Sequence, residues 1–237
     1  QHGPHLPTGT DVYVPTLQLC QARILLAERG VKALIVPPFY WGINDVSSGF
    51  PASYQVRPSS MVELMADVFG SIKQDGFKHV FCVSGHGDAL HNRTILQGVK
   101  TGSERTGLDI SFVTDAALAT RLGLDLSDPY LAIHAPAPPF PAKFLDVHAG
   151  QWETSIMMHA CPGLVREDLR STLKSTDYGP NDLAEWRKGR EHARGKTPLG
   201  YFGDPAAASA EEGERWVAGS AQCLADAIER RLKDRRR

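Results

Sequence analysis

The sequence predicts an α/β protein built from three layers, an α/β/α arrangement in which helices cover both faces of a mainly parallel central sheet. Short, continuous apolar runs at residues 33–36, 79–83 and 110–113 have the length and composition of buried strands. Segments with apolar residues at helical spacing lie between these runs. Regular alternation of strand and helix favours right-handed βαβ units, which produce a parallel sheet with helices on each side.

Helix signals delimit the elements around the strands. Apolar residues at helical spacing run from residue 16 to residue 28. The next helix is expected to begin with Ser59 or Ser60 as its N-cap. The last helix begins near Ser209, which has capping-box spacing with Glu212. The predicted helices after the first span residues 60–74, 89–99, 116–122, 153–159 and 209–232.

Two segments have no regular pattern. Residues 124–144 contain five prolines between positions 129 and 141, which predicts an ordered but irregular excursion. Residues 168–194 are polar and irregular, with Trp186 as an anchor. Because no internal repeat or low-complexity segment interrupts the chain, we expect residues 1–237 to form a single domain.

The composition is ordinary for a globular protein, with 42% hydrophobic and 22% charged residues. A formal net charge of -1 gives no electrostatic reason to expect nucleic acid or an anionic membrane as a partner. A run of about 18 apolar residues, which a membrane span needs, is absent from the sequence. The four cysteines have no CxxC spacing, which favours buried thiols over a zinc site. We therefore expect a cytoplasmic protein that acts on a small molecule.

A candidate site is first indicated by residues 1–11, which read QHGPHLPTGTD. Two histidines, His2 and His5, stand with Asp11 in this segment, and its prolines and glycines argue against regular helix or central strand. Imidazole and carboxylate groups that converge are what a borderline divalent metal ion needs. The alternative is a solvated N-terminal tail that is polar by chance.

Two later segments carry the same residue types. The sequence VFCVSGHGDALHN, residues 80–92, leads from an apolar run to the glycine-flanked His86 and to Asp88. The sequence DVHAGQWETS, residues 146–155, contains His148 and Glu153. In open parallel sheets ligands bind at the carboxyl ends of strands, and His86 directly follows a predicted strand. These side chains are therefore candidates for one common site.

Together the three segments resemble the creatininase family of metal-dependent amidohydrolases. The run HGPHLPTGTD, residues 2–11, matches the family's opening HGxHLPxxTD motif, and the run HAGQWETS, residues 148–155, matches its HAGxxETS motif intact. The run SGHGDALHN stands where the family usually has NGHGGN. The late segment GYFGDPAAASAEEG, residues 200–213, is similar to the family's closing GDPxxAS stretch. The resemblance therefore covers nearly the whole chain.

The resemblance implies a binuclear site for two divalent ions, which would be zinc, manganese or iron. Asp11 matches the bridging aspartate, and His2 and His86 match the histidine ligands of the two ions. Glu153 matches an acid that is a metal ligand or a near neighbour in the family. Asp88 is either a ligand or a group that orients ligands and water. The family motif has a glutamate one position before Gln1, so the resemblance leaves open whether one or two ions bind and implies that the family's N-terminal strand is missing from residues 1–237.

The resemblance also implies catalytic and substrate-binding residues. His148 matches the catalytic histidine and is the expected proton shuttle. Asp146 lies two residues before it and either sets the tautomer of His148 or caps the loop. His5 is expected to fix the opening loop or to touch substrate. The further substrate-contacting candidates are aromatic, although aromatic side chains also simply pack: they are Tyr40, Trp41 and Trp152.

The predicted function is hydrolysis of a non-peptide C–N bond, in a cyclic amide or a formamide, by a metal-activated water. The family also includes enzymes that trim a peptide-derived redox cofactor. Phosphoester hydrolysis is disfavoured because no glycine-rich phosphate cradle or arginine cluster accompanies the motifs. The alternative from another class is a metal-binding or assembly protein that has lost catalysis. Hexamers are common in the family, so the resemblance also implies a homo-oligomer.

Overall fold

A computed structural model describes residues 1–137 and 139–235, and its central layer is a parallel sheet. The three strands of the described residues lie in the order β1-β2-β3. Residue His79 pairs with Asp109, and Phe112 pairs with Leu131. The strands are β1 (His79–Cys82), β2 (Asp109–Asp115) and β3 (Leu131–His134).

Helices connect and flank the strands. The first four in the chain are α1 (Thr10–Glu28), α2 (Pro58–Gln74), α3 (Ala89–Thr106) and α4 (Ala116–Arg121). The later ones are α5 (Gln151–Ala160), α6 (Glu167–Arg170), α7 (Pro180–Trp186), α8 (Arg190–Lys196) and α9 (Ala210–Asp234).

Alternate side chains of β2 enter the cores on opposite faces of the sheet. Ile110 and Phe112 pack with buried side chains of α2 and α3, such as Phe69 and Val99. Val113 packs on the opposite face, against buried residues of α1 and α9. Because successive side chains of a strand point to opposite faces, one strand contributes to both cores. The three-layer α/β/α prediction is confirmed.

Helix α5 is held close to α9 by a glycine contact. A Cβ atom placed on Gly213 would lie 2.0 Å from the carbonyl oxygen of Ser155, so the two backbones can approach this closely only with glycine at this position. A third core cluster, which includes Val14, Ile156 and Val217, joins α5 and α9 to α1. This packing fixes the start of α5, which carries Glu153, beside the start of α1, which carries Asp11.

Most predicted helices and strands have counterparts in the structure. Helix α9 begins one residue after Ser209, whose hydroxyl accepts a hydrogen bond of 3.3 Å from the Glu212 amide, as the capping-box spacing predicted. Helix α2 begins at Pro58 rather than after a serine cap, because proline is well suited to the first turn of a helix. Helix α1 begins at Thr10, earlier than predicted, so the end of the first motif is helical.

Three predictions about elements were wrong. Residues 33–36 are not a strand: Leu34 is 74% exposed, and in the described part of the chain the sheet ends at β1. Strand β3 lies inside the segment 124–144, where the surrounding prolines hid a short run of apolar residues. The segment 168–194 contains the short helices α6, α7 and the start of α8, which are too brief to show a clear period.

The search for membrane spans covered every helix that the structure describes. None of those helices combines the length and the hydropathy needed to cross a bilayer.

Candidate metal centre

Imidazoles and carboxylates from three segments meet beyond the carboxyl end of β1. His2 comes from the opening loop and Asp11 from the first turn of α1. His86 belongs to the loop that follows β1, and Glu153 to the first turn of α5. This is the edge of a parallel sheet at which ligands bind in α/β proteins, as predicted for His86.

Asp11 lies between two histidines. Its Oδ1 atom is 3.4 Å from Nε2 of His2, and its Oδ2 atom is 3.0 Å from Nδ1 of His86. Burial disfavours the ionised carboxyl, but the two imidazoles outweigh burial and hold the pKa of Asp11 well below its usual range. Asp11 is therefore an anion that faces one imidazole with each oxygen.

The ring of His86 is held at both nitrogens. Nδ1 faces Asp11, and Nε2 lies 3.2 Å from the carbonyl oxygen of Ile43. Burial favours the neutral ring, yet the pKa of His86 is raised because Asp11 is so close. The carboxylate of Asp11 therefore favours the protonated form of His86.

His2 lies at the point where several possible metal ligands converge, and its own ring has no hydrogen-bond partner in the part of the chain that the structure describes. Its Nε2 atom lies 3.8 Å from Oε1 of Glu153, and ligand atoms of His2, His148 and Glu153 all lie within 4.8 Å of one another. Both ring nitrogens of His2 are buried, and neither has a hydrogen-bond partner among the described residues. Buried nitrogens are normally satisfied, so this arrangement fits a bound cation.

Glu153 is buried and fixed by a backbone amide. Its Oε2 atom accepts a hydrogen bond of 2.5 Å from the amide of Ala149. Ala149 has a φ of 47°, an uncommon value for a residue with a side chain, and this turn aims its amide at the carboxylate. Burial raises the pKa of Glu153. A cation would offset that burial and favour the ionised form.

His148 is enclosed between two rings. Its ring centroid is 4.4 Å from that of His2 and 5.9 Å from that of Trp186. Burial, together with the neighbouring His2, lowers the pKa of His148 well below its usual value. Its Nε2 atom lies 2.7 Å from the carbonyl oxygen of Gln1, which can only accept, so Nε2 carries the proton of the neutral ring. The lone pair of His148 is consequently on Nδ1.

The His86 loop approaches α1 so closely that it needs glycine. A Cβ atom on Gly85 would lie 2.6 Å from Cδ of Pro15 and 2.7 Å from the carbonyl oxygen of Asp11. Pro15 has no amide proton to donate to that carbonyl, so the helix is open at this turn. The side chain of Asn92 donates hydrogen bonds of 2.7 Å to the carbonyl oxygens of His86 and Asp88, which holds the loop from the other side.

Two acids predicted as catalytic groups cap helices in this structure. Asp88 accepts hydrogen bonds from the amides of Leu90 and His91 at the start of α3. Asp146 accepts hydrogen bonds from the amides of Gln151 and Trp152 at the start of α5. No hydrogen bond joins Asp146 to His148 within the described residues, so the geometry favours the alternative of a loop cap. For Asp88 it favours a supporting role over direct ligation.

The predicted substrate-contacting residues divide into two groups. His5 is fully buried and its Nε2 atom lies 2.9 Å from Oγ1 of Thr154, so the geometry favours fixing the opening loop over touching substrate. Trp152 is partly buried and packs with its ring centroid 4.9 Å from that of Trp216, beside the core between α5 and α9, and its contact with substrate stays a prediction. Tyr40 and Trp41 are exposed and lie next in the chain to the segment that contacts His86.

Sequence reasoning missed four residues of the centre. Ile43 contributes only its backbone, and a backbone contact leaves no trace in residue type. His91 and Trp186 contact His86 and His148 through their rings, and Asn92 anchors the His86 loop. Burial lowers the pKa of His91 to about 4, so this ring is neutral. Of these four residues, only Asn92 could have been predicted, because its side-chain amide follows the candidate ligand His86 closely in the sequence and can anchor its loop.

The fold and the site define a class: an α/β protein with a buried cluster of imidazoles and carboxylates at the carboxyl edge of its sheet. Nitrogen and oxygen donors of this kind suit a borderline divalent cation such as zinc or manganese. The family profile of creatinine amidohydrolase (creatininase) matches residues 1–228. The chain belongs to the creatininase family.

Particular relatives are similar over nearly the whole chain. The mycofactocin precursor peptide peptidase of Mycolicibacterium smegmatis is 28% identical over 99% of this chain and 83% of its own length. A solved creatininase described as a manganese form has a TM-score of 0.70 at 21% identity, covering 97% of this chain and 86% of the other. A mutant creatininase of the zinc–zinc type has a TM-score of 0.67 at 21% identity with the same coverage.

Proposed function

We propose that this protein is a metal-dependent amidohydrolase that cleaves a C–N bond of an amide type. The observation that carries the proposal is the burial of both ring nitrogens of His2 without partners, beside the carboxylates of Asp11 and Glu153. Buried ring nitrogens without partners are costly, and a bound cation would satisfy one of them. The zinc and manganese forms of solved creatininases support the same choice of ion.

The arrangement of donors supports two ions that share Asp11. One oxygen of Asp11 faces His2, which lies near Glu153, and the other oxygen faces His86. A single carboxylate between two cations offsets their mutual repulsion. Divalent ions bound there would lower the pKa of water to near neutrality and polarise the carbonyl group of the substrate.

His148 is the proposed proton shuttle. Its pKa is lowered well below the usual value, so the ring is neutral at physiological pH and is a weak base that would pass a proton on rather than keep it. Because Nε2 donates to the carbonyl oxygen of Gln1, Nδ1 is the accepting atom. In an amide hydrolysis Nδ1 would take a proton from the attacking water and return it to the leaving nitrogen. The ring of Trp186 and the ring of His2 hold the imidazole in place.

Two substrate classes follow from different observations. The sequence motifs predict a small non-peptide amide, either a cyclic amide or a formamide. The mycofactocin precursor peptide peptidases, which are 25–28% identical, favour a peptide bond in a short peptide as the second candidate. The exposed rings of Tyr40 and Trp41 suit either class, because flat amides and peptide side chains both pack on aromatic faces.

A homo-oligomer is part of the proposal. Exposed apolar side chains follow one another at Leu34, Val36, Tyr40 and Trp41, and clustered apolar side chains favour association. Size-exclusion chromatography with light scattering gives the mass directly, and a monomer at micromolar concentration would contradict this part.

The proposal is tested by assaying the metal-reconstituted protein on matched substrates: creatinine, a hydantoin, an N-formyl amine and short peptides. Cleavage of any amide that is abolished by chelation and restored by zinc or manganese supports the proposal. In His148→Ala, turnover should fall by about 100-fold or more while metal is retained, since general acid–base catalysis typically contributes that much. Metal binding without cleavage of any substrate would instead favour the non-catalytic alternative.

A further inference from the structure

The side chains of His86, His91 and Asp88 form hydrogen bonds with the backbone of one segment, residues 42–46. The carbonyl oxygen of Ile43 lies 3.2 Å from Nε2 of His86, and its amide donates a hydrogen bond of 3.2 Å to Nδ1 of His91. The amide of Val46 donates a hydrogen bond of 3.2 Å to Oδ2 of Asp88. The peptide groups on both sides of Ile43 are therefore hydrogen-bonded to side chains at the start of α3 and in the loop before it.

The chemistry of these partners fixes where protons lie. A carbonyl oxygen only accepts, so His86 must carry a proton on Nε2 to bond to Ile43. An amide N–H only donates, so His91 must leave Nδ1 unprotonated to receive it. With Nε2 occupied in this way, Nδ1 is the nitrogen of His86 left for a metal ion, and it is the one that faces Asp11 at 3.0 Å.

Ile43 and the side chains that hold its backbone are closely packed. The side chain of Ile43 is 2% exposed and packs into the core with buried residues of α2 and α3. His91 is 9% exposed, its amide is capped by Asp88, and its ring centroid lies 5.2 Å from that of His86. A Cβ atom on Gly42 would lie 3.1 Å from Cε1 of His91, so a residue without a side chain lets the segment rest on the ring.

We propose that His91 and Asp88 are positioning residues of the metal centre, which hold segment 42–46 so that the Ile43 carbonyl fixes the tautomer and ring orientation of His86. The inference rests on the proposed function, in which His86 binds a metal ion. It assigns a role to His91, a histidine at the end of the second segment that the sequence analysis left without one, and this role is exerted through the Ile43 backbone. Partners that orient a metal-binding histidine commonly change metal affinity 10- to 100-fold when removed.

The test compares His91→Asn with His91→Leu. The side-chain oxygen of asparagine stands near the position of Nδ1 and can accept from the Ile43 amide, whereas leucine fills a similar volume without an acceptor. Gln97→Leu, an exposed position on the same helix, is the control for the helix itself. Three quantities are measured: amide hydrogen exchange at Ile43, the zinc dissociation constant, and the imidazole ¹⁵N signals of His86.

In His91→Leu we expect Ile43 exchange to become about tenfold faster or more and zinc binding to weaken about tenfold. In the wild type the ¹⁵N signals of zinc-loaded His86 should show one form, with the proton on Nε2. In His91→Leu they should show a mixture of rings protonated on Nε2 and rings protonated on Nδ1. His91→Asn should stay within about threefold of the wild-type protein in exchange and affinity, because it keeps the acceptor. Gln97→Leu should match the wild type.

The inference is overturned if His91→Leu leaves Ile43 exchange and the His86 signals as they are in the wild type. It is also overturned if His91→Asn loses as much as His91→Leu, because the acceptor atom would then not matter. Exchange at Ile43 is measured on the metal-free protein as well. A wild-type protein that binds no metal would therefore refute the proposed function. The exchange comparison would still decide whether His91 holds the Ile43 backbone.

Discussion

The Oδ2 atom of Asp11 lies 3.0 Å from Nδ1 of His86, and this pair joins the first turn of α1 to the loop that leaves β1. The contact brings the first and second motifs to one point. It exists because Gly85 lets the loop touch the turn around Pro15, where a side chain would collide. The remaining oxygen of Asp11 faces His2, so the same carboxylate is the centre of the whole cluster.

Replacing Asp11 with asparagine should abolish tight metal binding while leaving the fold intact. Asparagine has nearly the same shape, but it lacks the negative charge that offsets two cations. We expect zinc affinity to fall by more than about 100-fold, a larger loss than for groups that only orient a ligand. Isothermal titration measures the affinity and circular dichroism the fold. Unchanged affinity would remove Asp11 from the centre.

Metal binding should release a proton from His86. Burial lowers the pKa of His86, but in the metal-free protein the neighbouring Asp11 outweighs burial and raises it, so the ring is mostly protonated at pH 6. A metal ion needs the lone pair of Nδ1, so the proton must leave. Titrations at pH 6 in buffers of different ionisation enthalpy report the number of protons released. A value of zero would contradict the assignment of Nδ1 as the ligand atom.

The contribution of Asp146 to the stability of the metal-free protein should fall as the pH rises from about 4 to 7, because burial raises its pKa from 3.8 to about 7. The buried rings of His5 and His91, whose pKa values are lowered to about 4, act in the opposite direction, so the effect of Asp146 is measured against a variant. A carboxyl with a raised pKa in the fold stabilises the fold while it is protonated, and this contribution disappears as the pH passes the raised value. The shift corresponds to about 4 kcal/mol at most.

Asp146→Asn is the matched variant for this effect. Its side-chain carbonyl can still accept from the amides of Gln151 and Trp152, so the cap of α5 is kept. In urea unfolding at several pH values, the unfolding free energy of the wild type should fall relative to that of the variant as the pH rises from about 4 to 7. Identical profiles would show that Asp146 does not titrate in this range.

Gly85→Ala and Gly70→Ala should have opposite effects. A Cβ atom at Gly85 collides with Pro15 and with the Asp11 carbonyl, so we expect a loss of about 1–3 kcal/mol in unfolding free energy and weaker metal binding. A Cβ atom at Gly70, inside α2, meets nothing within 4 Å. That change should stabilise the protein by about 0.5–1 kcal/mol, because alanine favours helix. Equal effects would refute the close approach at Gly85.

The fold class could be read from the sequence because alternating periods and caps act locally. The Ser209 cap and the apolar stripe of α9 are examples. Residues 33–36 misled the prediction, since an apolar run reveals that a segment suits a strand but not whether a neighbouring strand pairs with it. Strand β3 was hidden among prolines, where its pairing with β2 outweighs the composition of the surrounding segment.

The site was predictable as far as its motifs reached. Asp11, His86, His148 and Glu153 carry recognisable residue types, and the structure brings them together. The capping role of Asp88 could not be foreseen, because a carboxylate near a metal motif and one at a helix start look alike in sequence. For Asp146, capping was one of two alternatives that the sequence left open. The Ile43 backbone group is invisible to any reading by residue type.

The metal content of the purified protein, measured together with amide hydrolysis, tests the central claim most directly. Elemental analysis before and after chelation, and after reloading with zinc or manganese, gives ions per chain and activity on the same samples. The account predicts about two ions per chain for a shared-carboxylate site, with hydrolysis lost and regained as the ions leave and return. A protein that binds no divalent ion after reloading, or whose hydrolysis is indifferent to chelation, would contradict it.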